Sequence, residues 1–229
     1  MKRITLMTLL LLFNFSFSQK KELRKAQKLY DAGDVAGASQ ILIENQSILI
    51  NADQKVKPNY DFLRGKIAQL NKDFQSAFDL FNSVKEVASI RDEVIKQLST
   101  LSTDIVNSAI DDNESEDYES SMKKLFMAYK IDPELNQDYL YYAASSAINA
   151  NLYEIALDYY TQLKEIGYTG VVTKYFVTEV DSGLETEVTE SEYNLYLKSK
   201  SYENQREEDT PSRFPEIVKN IALIHAQMG

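Results

Sequence analysis

The feature that most constrains this chain is a spacing of twelve residues between two small side chains, which occurs four times. A small residue in the middle of each of two helices lets their axes approach to about 8–10 Å. The spacing therefore predicts four antiparallel helical hairpins, each with a short turn between its two helices. The four pairs are Ala26 and Ala38, Gly65 and Ala77, Ala109 and Ser121, and Ala144 and Ala156.

Large apolar residues accompany the second small residue of every pair. They lie on one stripe of the second helix, because helical side chains three and four positions apart share a face. A single hairpin cannot cover such a stripe, so neighbouring hairpins are expected to stack into a solenoid. Three positions before the second small residue are Val35, Phe74, Tyr118 and Tyr153, and four positions after it are Leu42, Phe81, Leu125 and Tyr160.

These units resemble the tetratricopeptide repeat (TPR), in which a small residue is followed four positions later by an aromatic residue and then by proline. Ala77 with Phe81 and Ala156 with Tyr160 match the pattern, but the chain has no Trp and its repeat intervals vary from 35 to 44 residues. The resemblance implies an all-α fold, a helical-hairpin solenoid with a TPR-like superhelix formed by four hairpins over 19–166. Another helical-hairpin array or a nonrepetitive bundle is the alternative.

An insertion interrupts the helical period over residues 167–214. Residues 171–180 are rich in β-branched and aromatic side chains, Asp181-Ser182-Gly183 supplies a turn, and residues 184–188 alternate again, which predicts a β-hairpin. This hairpin is expected to be part of a connection that packs on the array. The alternative is a dedicated binding element.

The remainder of the insertion is predicted to be a short helix and a polar loop. Residues 189–192 form a capping-box sequence, whereas residues 201–213 are polar without periodicity and are predicted to be mobile. Residues 215–229 begin with proline and end with glycine, as helices often do. We interpret them as the first helix of a fifth, incomplete repeat, whose apolar face favours continuation of the natural chain.

The N-terminus has the pattern of an export signal. Lys2 and Arg3 precede an apolar run, and the run ends with small residues at 16 and 18. This pattern predicts a signal peptide over 1–18, cleavage before Gln19, and a periplasmic or secreted protein without an integral membrane segment in its mature chain. The start of the chain and its abundant Lys, Asn, Tyr and Ile resemble exported TPR proteins of Bacteroidetes.

Composition narrows the possible functions. The chain has no Cys and one His, so it offers neither a thiol nucleophile nor a Cys/His zinc site. Its net charge of −10 argues against nucleic acid as a partner. We therefore expect no enzyme activity and no cofactor or metal.

The TPR resemblance implies binding of a protein segment in a concave groove lined by the first helix of each unit. We expect an unknown protein of the cell envelope as the partner of this noncatalytic scaffold. Capture of a glycan or another nutrient by aromatic residues is the alternative, because tyrosines are concentrated in the fourth unit. The resemblance assigns the groove to Tyr30, Phe62, Lys66, Gln69, Tyr141, Ser145 and Asn149.

Overall fold

The computed structural model describes residues 18–229, which divide into two compact units. The first unit ends at Ser108 and the second begins at Ala109. Helix α1 occupies residues 18–31 of the described chain. The other helices that begin in the first unit are α2 (Val35–Glu44), α3 (Gln46–Leu49), α4 (Lys57–Leu70), α5 (Phe74–Val84) and α6 (Arg91–Glu114).

The second unit contains the remaining helices and one small sheet. The sheet interrupts the helices between α9 and α11, where the insertion was predicted. The described chain is therefore mostly helical, as the repeat spacing predicts. These elements are α7 (Tyr118–Ile131), α8 (Gln137–Asn149), α9 (Tyr153–Glu165), β1 (Thr173–Glu179), β2 (Glu185–Val188), α10 (Glu190–Tyr196), β3 (Tyr202–Asp209) and α11 (Phe214–Met228).

The same turn closes the first helix of all four repeated pairs. Five residues before the second small residue, the backbone adopts a positive φ of 59° to 84°. The next N–H then donates to the carbonyl five residues back, at 2.8–2.9 Å, which satisfies a carbonyl at the end of the first helix. The residues with positive φ are Gly33, Lys72, Glu116 and Asn151. Glycine occupies this position in the first turn alone of the four, so the other three residues accept a conformation that side chains disfavour.

The second helix of each pair begins at the large apolar residue that the pattern places three positions before the small one. These first residues are Val35, Phe74, Tyr118 and Tyr153. In the first three turns an aspartate N-cap accepts a hydrogen bond from the backbone N–H three residues ahead, which satisfies a free donor of the helix start. In the fourth turn Leu152 occupies the N-cap and makes no such bond.

All eight small residues of the spacing are buried, which confirms the predicted role of that spacing in helix packing. Gly65 lies where α4 packs against α5. A Cβ atom on Gly65 would lie 2.4 Å from Cε1 of Phe81, a ring that is itself fully buried. Only glycine therefore fits at this position without displacement of the ring.

Each unit has its own apolar core. In the first unit the core is formed by α1 to α4, with Leu49, Tyr60 and Leu63 almost completely buried. In the second unit it extends from α7 to α9 and includes Ile217 and Ile224 of α11, because α11 packs against α9. Helix α11 thus has Pro215 in its first turn, as predicted, and it buries two residues of its apolar face.

The sheet has three strands in the order β2-β1-β3. The prediction of a mobile polar loop over 201–213 is therefore wrong, because this segment contains a strand. Strand β3 lies within that loop and pairs antiparallel with β1. Apolar alternation did not reveal β3, because most of its side chains are exposed on both faces. Arg206 of β3 instead makes the side-chain contacts with the rest of the sheet. Its guanidinium lies 3.9 Å from the Phe176 ring centroid and donates to Glu185, and it also donates to Glu208 of the same strand.

The rest of the insertion agrees with its sequence pattern. Strands β1 and β2 form the predicted antiparallel hairpin. Helix α10 begins with the capping box, in which Thr189 and Glu192 each receive a hydrogen bond from the other's backbone N–H. Tyr193 of α10 is buried against Tyr175 of β1, with ring centroids 5.0 Å apart.

The predicted signal segment, residues 1–18, lies outside the described residues except for Ser18, so cleavage before Gln19 stays a prediction. Gln19 itself is buried, and its Nε2 donates to the Ile48 carbonyl at 3.0 Å. Among residues 18–229, none of the helices combines the length and the apolar character that crossing a membrane requires.

Candidate functional site

Four of the seven predicted binding residues belong to the first unit, and three of them come together around one ammonium group. Phe62, Lys66 and Gln69 follow one face of α4, because they are spaced by four and three residues. The Lys66 ammonium lies 4.4 Å from the ring centroid of Tyr30 on α1 and 5.3 Å from that of Phe62. We call Tyr30, Phe62 and Lys66 the Lys66 cluster.

The Lys66 ammonium is half-buried, and its direct partners among the described residues are the rings of Tyr30 and Phe62. Among the described residues, it makes no hydrogen bond and has no carboxylate within 4 Å. Burial lowers its pKa, while the more distant charges of Asp31 and Glu93 raise it in part. Three N–H donors therefore remain for an acceptor that a ligand would supply.

The two rings of the cluster differ in exposure. Tyr30 is only partly buried, whereas Phe62 is 8% exposed and contacts Phe81, with ring centroids 5.6 Å apart. Phe62 therefore forms the floor of the cluster, and Tyr30 forms its accessible wall. An apolar side chain of a ligand would contact Tyr30 first.

Gln69 has its amide group fixed by two polar residues of α6. Its Oε1 accepts from Gln97 Nε2 at 2.7 Å, and its own Nε2 donates to Asp104 Oδ2 at 2.6 Å. Gln69 is 5% exposed, so it orients α4 and α6 and offers little surface to a ligand. Gln97 and Asp104 were missed by the sequence analysis. Their spacing of seven residues on one helix is the signal that would have indicated a shared face.

The other three predicted residues lie on α8 in the second unit and do not form a comparable open cluster. Tyr141 is 8% exposed and packs against the rings of Tyr160 and Tyr168, with centroids 6.3 and 6.0 Å away. The Ser145 hydroxyl lies 3.1 Å from the Tyr160 hydroxyl. Asn149 is exposed near the end of the helix, separate from these contacts.

Arg213 covers Tyr141, and the sequence analysis did not identify it. Its guanidinium lies 4.5 Å from the Tyr141 ring centroid and donates to the Tyr142 hydroxyl at 3.1 Å. The backbone N–H of Arg213 also donates to the Thr169 carbonyl, and this hydrogen bond joins the two ends of the insertion. Gly170 permits this approach, because a Cβ there would lie 2.8 Å from Cδ of Arg213.

The raised pKa of Tyr141 agrees with the burial of its side chain. Burial raises its pKa, and a hydrogen bond with Glu216 of α11 raises it further. Burial also raises the pKa of Tyr168, whose hydroxyl donates to Asp138. The hydroxyl groups of these tyrosines therefore have partners within the second unit.

The described residues also include a groove of about 320 Å³ in the first unit, between α2, α4 and α5. It is lined by apolar residues such as Leu42 and Ile67 and by Arg64 and Ser76. None of the predicted binding residues lines it. Within residues 18–229, no group of three or more His, Cys, Asp or Glu side chains is arranged to hold a metal ion.

Comparison with known proteins adds no relative to these observations. No protein-family model matches the chain, and a search of curated proteins finds no significant match.

Proposed function

We propose that this protein is an exported, noncatalytic scaffold of the TPR type that binds a segment of a protein of the cell envelope. Four hairpins with the same small-residue spacing and the same left-handed turn support the repeat interpretation. The apolar run that follows Lys2 and Arg3 at the start of the chain supports export. The proposal assigns no catalytic residue and no cofactor.

The Lys66 ammonium is the observation that carries the binding proposal. A half-buried ammonium has lost part of its hydration, and within residues 18–229 its direct partners are the Tyr30 and Phe62 rings. A partner that supplied a carbonyl or carboxylate oxygen would restore the missing hydrogen bonds. Tyr30 would at the same time provide apolar contact area, as tyrosines do at interfaces.

The fourth hairpin offers less support for a binding site than the Lys66 cluster does. Tyr141, Tyr159 and Tyr160 are each less than 10% exposed, so their rings are not open to stack on a sugar. Tyr142 is 43% exposed, but its hydroxyl already accepts from Arg213. No contact in this unit favours the glycan alternative over the protein-binding proposal.

Affinity capture with matched variants tests the proposal. The immobilised protein is incubated with envelope extract of the producing cells, and the retained proteins are quantified for wild type, Tyr30→Ala, Lys66→Met and Lys164→Met. We expect Tyr30→Ala and Lys66→Met each to reduce retention of a common partner by about tenfold, as loss of about 1.4 kcal/mol requires. Lys164→Met removes the same charge at an exposed position on α9 that is not among the predicted binding residues, and it should leave retention unchanged.

Two results would contradict the proposal. Equal retention by wild type and Lys66→Met would show that the cluster is not the binding site. Recovery of the exported protein with Met1 still attached, measured by mass spectrometry, would show that the predicted cleavage before Gln19 does not occur.

A further inference from the structure

Strand β3 is an open edge of the three-stranded sheet. Within the described residues it pairs with β1 on one side, and no strand pairs with its other side. All of its side chains are exposed except those of Tyr202 and Gln205, which are half-buried. An open edge presents unpaired backbone N–H and C=O groups, to which another strand can add.

The register identifies the backbone groups that face outward. The backbone N–H of Thr210 donates to the Val172 carbonyl at 3.0 Å. Because backbone N–H groups along a strand point alternately to its two sides, every second residue of β3 before Thr210 also directs its N–H towards β1. Glu207 and Asp209, which lie between these residues, therefore direct their backbone groups away from the sheet. They lie opposite Tyr175 and Thr173 of β1.

The other end of β3 is closed to a further strand. Asn204 has a φ of 51°, and the register shifts there, which indicates a β-bulge. Gln205 Nε2 donates to the Tyr202 carbonyl at 3.1 Å, so the side chain of the strand itself covers this carbonyl. The open part of the edge is therefore limited to residues 206–209.

The two faces of the sheet carry different charge. On the face of Phe176, Arg206 pairs with Glu185 and Glu208, and Lys174 pairs with Glu187. The acidic groups of this face are therefore neutralised by neighbouring cations.

The opposite face has acidic groups without a neighbouring cation. Glu207 lies opposite Tyr175 in the register and Asp209 lies opposite Thr173, on the same face. Burial raises the pKa of Tyr175, and the charges of Glu190, Glu207 and Asp209 raise it further. None of the three has a Lys or Arg nitrogen within 4 Å among the described residues. Tyr193 lies beside Tyr175 and enlarges the aromatic surface.

We propose that the open edge of β3 binds an extended, basic segment of a partner protein by strand addition. The backbone of that segment pairs with Glu207 and Asp209, and its Lys or Arg side chains lie against Tyr175 and the unneutralised carboxylates. Charge selects the partner, because a second copy of β3 would place like charges opposite each other. This site is separate from the Lys66 cluster and does not depend on its function.

Peptide titration of the full protein tests the proposal. The probes are a peptide of alternating Lys and Val, the same peptide with alternate backbone nitrogens methylated, and a peptide of alternating Glu and Val. We expect the Lys-Val peptide to bind and to bind more weakly as salt is added, because salt screens exposed charges. The methylated and acidic peptides should not bind measurably.

Variants of one residue separate backbone pairing from charge. Glu207→Pro removes an outward N–H that the sheet does not use, so the protein should fold with an unchanged circular dichroism spectrum. We expect it to weaken binding at least tenfold, whereas Glu207→Gln should weaken it about two- to fivefold, the usual range for an exposed charge pair. Glu187→Gln, on the neutralised face, is the matched control and should bind as wild type does.

Several outcomes would overturn the inference. They are absence of binding by the Lys-Val peptide, equal binding of the methylated peptide, and equal binding by a folded Glu207→Pro variant. A concentration-dependent dimer that Glu207→Pro abolishes would assign the edge to a second copy of the chain and would also contradict it.

Discussion

Phe62 and Tyr141 occupy the same position in two repeated units, three residues before the first small residue, yet their surroundings differ. The cation over the Phe62 ring is Lys66, one turn further along the same helix. The cation over the Tyr141 ring is Arg213, which comes from the far end of the insertion. Ser145, at the position equivalent to Lys66, contacts Tyr160 instead.

This comparison shows that the repeat position determines which side chain lies on the shared face but not what covers it. Lys66 comes from the same helix as its ring, and its N–H groups have no acceptor among the described residues. Arg213 comes from a distant segment and joins that segment to the helix. The first arrangement is the one on which the binding proposal rests, and the second stabilises the insertion.

Truncation of the two rings should have the largest effect. Phe62→Ala and Tyr141→Ala each remove a buried aromatic ring and should lower the free energy of unfolding by about 3–5 kcal/mol. Urea denaturation measures the loss. Only Tyr141→Ala should also speed amide exchange in residues 168–213, because it removes the contact with Arg213. Equal exchange in both variants would contradict the difference between the units.

Gly65→Ala tests the close approach that positions the helix of the Lys66 cluster. The added Cβ would overlap the buried ring of Phe81, which should cost about 1–3 kcal/mol. The higher helix propensity of alanine would offset about 1 kcal/mol. We expect a net loss of up to about 2 kcal/mol in urea denaturation. A stabilised variant would show that the ring can move without cost.

Replacement of the two cations by Met should sharpen the comparison. Arg213→Met should lower the free energy of unfolding by about 1 kcal/mol, because it removes ring contacts and the hydrogen bond to Tyr142. Lys66→Met should change it by less than about 0.5 kcal/mol or raise it, because Lys66 makes no ion pair within the described part of the chain and its burial disfavours the charge. The opposite ranking would indicate that Lys66 is the structural cation.

Alkaline pH should affect the two regions in opposite directions. Burial, with the charge of Asp158, raises the pKa of Tyr159 to about 12. Its contribution is therefore present below the unfolded pKa of about 10 and is lost as pH rises towards 12. The lowered pKa of Lys66 works the other way, because its charge destabilises less as pH rises towards 10.5. Urea midpoints across this range should fall less steeply for Tyr159→Phe than for wild type, whereas Lys66→Met should fall more steeply.

The sequence predicted the hairpins because their determinants are local. Small residues twelve apart and apolar residues three or four apart depend on helical periodicity alone, and the structure has a helix on either side of each predicted turn. Strand β3 was missed because backbone pairing and the Arg206 ion pairs hold it, without an apolar pattern. The cover on Tyr141 was missed because Arg213 reaches it through the fold rather than through any sequence spacing.

Hydroxyl-radical footprinting of the free protein and of its captured complex tests the central claim most directly, because it reports the exposure of single tyrosine rings. The account predicts that Tyr30 reacts in the free protein and becomes protected in the complex, while Tyr141 reacts slowly in both. Protection of Tyr141 on binding, together with an unchanged rate for Tyr30, would contradict the account.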